Sequence, residues 1–101
     1  MERFVSDEPQ ARRFFVSGDV QGVGFRFFTQ NAANRAGICG YVRNLRDGRV
    51  EVYATGTEKQ MRELPAAIHR GPIGASVNEV IEEVASVEPQ YAAQFRVTYD
   101  H

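Results

Sequence analysis

The sequence predicts an α+β sandwich, with helices packed on one face of a mainly antiparallel sheet. Segments of period two, rich in aromatic and β-branched residues, alternate with segments of period three to four. Their order runs strand, helix, hairpin, helix, and then one or two strands. A chain of 101 residues, 43% hydrophobic and 25% charged, suffices for one such core and leaves no room for a second.

Residues 1–10 mix acidic, basic and polar types without a period, and read as a disordered leader before a single domain over 11–101. Glu2, Asp7 and Glu8 argue against a transit peptide. From Arg12 to Ser17 the run RRFFVS predicts a first strand, ended by Gly18, with Phe14 and Val16 on one face. Phe25, Phe28, Ala32 and Ala36, flanked by Thr29 and Ala33, follow one helix face, and Gly37 suits a left-handed cap. GYVRNLRDGRVEVYATG holds two β-rich runs joined around Asp47-Gly48, a dipeptide fitted to the positive backbone angles of a tight hairpin. Val50, Val52 and Ala54 are expected to face the core, with Arg49, Glu51 and Tyr53 turned outward. Val42 and Asn44 share a face of the first run.

Thr57 and Gln60 form a capping-box signature ahead of the stripe Met61, Leu64, Ile68, which predicts a second helix. Pro65 removes a donor within it, so a kink or a break into two pieces is expected. Gly71-Pro72-Ile73-Gly74 reads as a loop. Val77, Val80, Ile81 and Val84 have helical spacing and Ser76 with Glu79 imitates another capping box, so taken alone 77–84 reads as helix. Gln94 to Tyr99 alternates as Phe95, Val97, Tyr99 and predicts a closing strand.

A formal net charge of −1 argues against a broad nucleic-acid or anionic-membrane surface. No apolar run approaches a membrane span and no signal-type stretch opens the chain, so the expected location is the cytoplasm. Cys39 is the single cysteine, which excludes an internal disulfide, and no ligand pairs with metal-site spacing occur. No metal and no cofactor are expected. Cys39 suits packing better than nucleophilic attack, and His69 suits a helix C-terminus.

The segment richest in chemistry is Gly18-Asp19-Val20-Gln21-Gly22-Val23-Gly24-Phe25-Arg26, a glycine-punctuated loop between a strand and a helix start. Its glycines let the backbone curl and the helix start offers unpaired N–H groups. The backbone of Gly18, Gln21, Gly22, Val23, Gly24, Phe25 and Arg26 can therefore wrap an anion such as phosphate. Arg26 adds a planar, permanently charged fork, and a cation at this position opposes the helix dipole until an anion binds. A Walker loop is excluded because Gly-Lys-Ser and Gly-Lys-Thr are absent, and the dinucleotide fingerprint because Phe27 replaces its third glycine. An RNA-recognition octamer is disfavoured by Val23, which stands where a stacking aromatic is required. On these residues alone, a flexible turn with a surface arginine remains an open reading.

GDVQGVGFR, followed fourteen residues after its end by GYVRNLRDGRVE, resembles the two signatures of the acylphosphatase family. The resemblance runs from about Arg12 to Tyr99 and takes in Gly71-Pro72 and the closing FRVTY. It implies a ferredoxin-like βαββαβ sandwich, two helices on one face of the sheet, an extra C-terminal strand, and an irregular or bulged strand over 77–84. It also implies metal-independent hydrolysis of acyl phosphates. Arg26 matches the phosphate-binding arginine, and Asn44 the asparagine that positions the attacking water. Tyr41 departs from the family by standing where a tryptophan is common. The implied partner is a small-molecule acyl phosphate; inorganic phosphate is expected as product inhibitor, no nucleic acid or membrane partner is expected, and a monomer is the default state. Two other classes share the topology: a non-catalytic ligand- or RNA-binding module, and a domain of a carbamoyl-phosphate-using maturation system. The latter is normally fused to larger domains, whereas a chain of 101 residues is expected to stand alone.

Overall fold

The computed structural model describes residues 7–99. Its main elements are β1 (Gln10–Asp19), α1 (Phe25–Ala36), β2 (Cys39–Asn44), β3 (Val50–Gly56), α2 (Leu64–Arg70), β4 (Ser76–Ala85) and β5 (Phe95–Val97). Short 3₁₀ turns at Gln60–Arg62 and Pro89–Tyr91 precede α2 and β5. The sheet order is β4-β1-β3-β2-β5, antiparallel throughout except for the parallel β2–β5 pair. This is the ferredoxin-like βαββαβ sandwich with an added C-terminal strand. Of the expected leader, residues 1–6 lie outside the described residues, while Gln10 already pairs with Gly56 as the first residue of β1.

Strand alternation builds the core between helices and sheet. Phe14, Val16, Val42, Val50, Val52 and Ala54 meet Phe25, Ala32 and Ala33 of α1 and the stripe Met61, Leu64, Ile68. The other face is a correction, because Glu51 and Tyr53, expected outside, are only 4% and 0% exposed. Tyr41 and Tyr53 stack at 5.5 Å, and Tyr91 covers both at 5.0 and 5.4 Å. Within this cover the Glu51 carboxylate accepts from the Tyr41 hydroxyl at 3.0 Å and pairs with Arg43 at 2.6 Å and Arg13 at 3.0 Å. Those partners are needed, since an unpaired buried carboxylate would cost several kcal/mol. Burial first, and then the negative charge of Glu51, push the Tyr41 hydroxyl above the usual tyrosine range.

Three local expectations change in detail. The β2–β3 connection is wider than a tight two-residue turn: Gly48 takes φ 96° while Asp47 stays out of the left-handed region. Leu45 N–H closes the loop onto the Arg49 carbonyl at 2.8 Å, and the Asp47 carboxylate accepts from Arg49 N–H at 3.1 Å. The closing strand is also shorter than the alternating run, because Tyr99 lies beyond the end of β5 at Val97. The third concerns 77–84, which is a strand with a bulge: its register against β1 steps from Ser17↔Glu79 to Gly18↔Val77 and skips Asn78. That extra residue lets Val77 and Val80, three apart, both pack on the core, which is how a strand imitates helical spacing. Ile81 and Val84, which completed the apparent stripe, are exposed.

The capping box forms reciprocally, with Thr57 N–H donating to Gln60 Oε1 at 2.8 Å and Gln60 N–H to Thr57 Oγ1 at 3.2 Å. It opens the 3₁₀ turn, and the expected break follows, with Pro65 in the first turn of α2. There its missing N–H has no helical partner to lose. Pro65→Ala should therefore lower the unfolding free energy by about 0.4–1 kcal/mol, through greater freedom of the unfolded chain. Urea denaturation followed by circular dichroism checks this, and a gain in stability would show that the ring strains the helix start.

Candidate functional site

β1 leads directly into the glycine loop. A side chain at Gly18 would collide with the Ser76 carbonyl, so this glycine serves the close approach of the β4 bulge. Gly22 and Gly24 adopt φ 76° and 77°, the left-handed region that lets the loop curl over the start of α1. Gly24 caps the helix without any side-chain bond; its carbonyl accepts from Phe28 N–H at 3.0 Å, and the first turn holds no acidic residue. Among the described residues, the backbone N–H groups from Gln21 to Phe27 donate to no protein acceptor. The result is an electropositive helix start with an unmet demand for an anion.

Val20, Gly22, Gly24, Phe25, Arg26, Phe27 and Asn44 line a cleft of about 90 Å³ at this point. Thus the two signatures meet, and Gly22, Gly24, Phe25, Arg26 and Asn44 line one cleft. Gly18 does not line the cleft, and the Val23 side chain packs against the core. The Gln21 side chain also turns elsewhere: its amide donates to the carbonyls of Leu45 at 2.8 Å and Arg49 at 2.9 Å. Gln21 thereby straps the anion loop to the hairpin that follows Asn44, a contact across 24 and 28 residues that local pattern does not reveal.

Asn44 Oδ1 is buried without a hydrogen-bond partner. A buried polar atom left in this state calls for a partner that the protein does not supply. Among the described residues the Arg26 guanidinium makes only weak contacts, a 3.4 Å bond from Nη1 to the Thr98 carbonyl and the face of the Tyr99 ring at 5.6 Å. No carboxylate among the described residues pairs with it. Nor do three or more His, Cys, Asp or Glu side chains among them gather in a metal-binding arrangement. A larger groove of about 480 Å³ lies between α1 and α2, bounded by Arg35 and Arg70, and contains neither Arg26 nor Asn44. Arg26 and Asn44 meet in the smaller cleft.

The family model for acylphosphatase matches residues 12–97. The chain belongs to the acylphosphatase family. An acylphosphatase of Solibacter usitatus (strain Ellin6076) is 45% identical over 87 residues, covering 86% of this chain and 91% of that protein. The structure of an acylphosphatase from Coxiella burnetii matches with a TM-score of 0.83 and 36% identity, over 89% of this chain and 93% of that one. Full-length HypF in its phosphate- and nucleotide-bound form matches with a TM-score of 0.84 and 28% identity; 97% of this chain corresponds to 13% of that chain. Family and fold together support acylphosphatase-type hydrolysis.

The strap has a testable consequence for this chemistry. Gln21→Met keeps the length of the side chain but removes both donors, and should lower turnover of acetyl phosphate roughly tenfold or more by loosening the loop. Gln21→Lys restores a donor and should recover most of that loss. A Met variant as active as wild type would make the strap dispensable.

Proposed function

We propose that this chain hydrolyses the carboxyl–phosphate anhydride bond of acyl phosphates by metal-independent in-line attack of water. The observation that carries this reading is one cleft holding a helix start without a side-chain cap, an arginine with no carboxylate partner among the described residues, and the orphaned amide oxygen of Asn44. The bond cleaved suits a site composed only of such groups. An acyl phosphate releases a carboxylate whose conjugate acid has a pKa of about 4–5, so the leaving group departs without a general acid. Backbone N–H groups around Gly22 and Gly24 and the Arg26 fork hold the peripheral phosphoryl oxygens and stabilise their charge in the transition state. Asn44 Oδ1 accepts a hydrogen bond from water and turns the water's lone pair towards phosphorus. The water oxygen bonds to phosphorus as the bond to the acyl oxygen breaks; the products are a carboxylate and dihydrogen phosphate, which retains both protons of the water.

Inorganic phosphate fits the same donors and acts as a product inhibitor. In this reading the protein is a cytoplasmic monomer acting on a soluble small molecule, without cofactor, nucleic acid or membrane. Paired substitutions test the division of labour. Arg26→Ala should lower kcat/KM for acetyl phosphate at least about 10²-fold with the fold intact, as expected for loss of a charged transition-state contact. Asn44→Ala should depress kcat while leaving competitive inhibition by phosphate nearly unchanged. A folded Arg26→Ala enzyme keeping more than about a tenth of wild-type turnover would contradict the first role. Phosphate inhibition that weakened in step with kcat would make Asn44 a phosphate ligand instead.

A further inference from the structure

Among the described residues the exposed Phe and Tyr side chains are Phe27 and Tyr99, 63% and 74% accessible, and both neighbour Arg26. Phe27 follows it on α1 and lines the same cleft, while the Tyr99 ring lies 5.6 Å from its guanidinium carbon. Isolated exposed apolar residues are ordinary. What calls for explanation is that the two exposed hydrophobic rings gather at one charged group, whereas the other exposed large apolar residues are aliphatic and belong to the 71–74 loop, the edge strand β4 and the segment after it.

In-line displacement places the attacking and leaving oxygens on opposite sides of phosphorus. Asn44 marks the inner side of the cleft, since it lies on the sheet and its Oδ1 is buried. With water held there, the acyl oxygen points outward to the mouth, where the exposed Phe27 stands. We propose that Phe27, with Tyr99 against the Arg26 guanidinium, forms an acyl-side subsite that favours acyl phosphates with an aromatic or bulky apolar acyl group over short ones. The inference rests on the hydrolytic reading above and adds a substrate class to it. Aromatic contact with such a group supplies the preference, and a methyl group is too small to use it.

The test compares benzoyl phosphate with acetyl phosphate. Phe27→Ala should lower the ratio of their kcat/KM values about fivefold, chiefly through the KM for benzoyl phosphate, and Phe27→Trp should keep the ratio within about twofold of wild type. The non-hydrolysable benzoylphosphonate and acetylphosphonate give a readout independent of turnover, and calorimetry should show their affinity ratio falling by a similar factor in Phe27→Ala. Ratios unchanged in both measurements would overturn the subsite. If wild type hydrolysed neither phosphate while the phosphonate affinity ratio still fell, the hydrolytic reading would fail and the subsite would stand.

Discussion

α1 begins without a side-chain cap, and the shape of this end of the sheet answers to that one deficiency. Gly24 offers no side chain to the first turn, the N–H groups from Gln21 to Phe27 find no acceptor among the described residues, and a cation, Arg26, stands where a carboxylate would be favoured. Glycine at the N-cap in place of a side-chain acceptor costs a few tenths of a kcal/mol, and an unfavourable charge near a helix end about 0.3–1 kcal/mol. The helix start thus gives up local stability that an anion restores. A loop with so little holding it from within must be held from outside. Gln21 fixes it to the β2–β3 hairpin, and the packing of Gly18 against the β4 bulge fixes its base. The donors are therefore arranged before a ligand arrives, which is the condition under which electrostatic stabilisation is most effective.

Sheet order explains why two motifs distant in sequence meet. β3 lies between β1 and β2 and is antiparallel to both, so the C-terminal ends of β1 and β2 lie at the same end of the sheet. Val50 makes this concrete, since it pairs with Val16 on one side and Asn44 on the other. The anion loop leaves β1 just beyond Val16, and α1 carries the chain back to the start of β2. Asn44 consequently ends its strand beneath the helix start. The far face supports this arrangement through Arg43, next to Asn44, which is tied across strands to Glu51 at 2.6 Å.

Much of this was legible in the residues because the signals were local. Alternation in RRFFVS, the inward set Val50, Val52 and Ala54, the three-to-four spacing of α1 and the Gly37 cap all reappear. Arg26 and Asn44 emerged as a pair only through the resemblance of the two motifs to the acylphosphatase signatures, since neither residue alone is informative. What stayed hidden depends on contacts distant in sequence. The burial of Glu51 and Tyr53 requires Tyr91 to close over the sheet, and the double bond of Gln21 requires the completed hairpin. β4 misleads for a different reason: a single bulged residue shifts the phase of its side chains, so a strand acquires helical spacing. Phe27 read simply as the residue in place of a third glycine, and its position at the mouth appears only once the cleft is formed.

The central claim is that a site made only of donors and an oriented water suffices when the leaving group is a carboxylate and fails when it is an alkoxide. Phosphate release from acetyl phosphate and from glycerol phosphate, measured side by side in excess EDTA, tests it most directly. The account predicts an acetyl phosphate rate unchanged by the chelator and a glycerol phosphate rate at least about 10²-fold lower, because an alkoxide needs the general acid or metal that these residues do not supply. Activity lost in EDTA and restored by magnesium or zinc, or comparable rates on the two substrates, would contradict it.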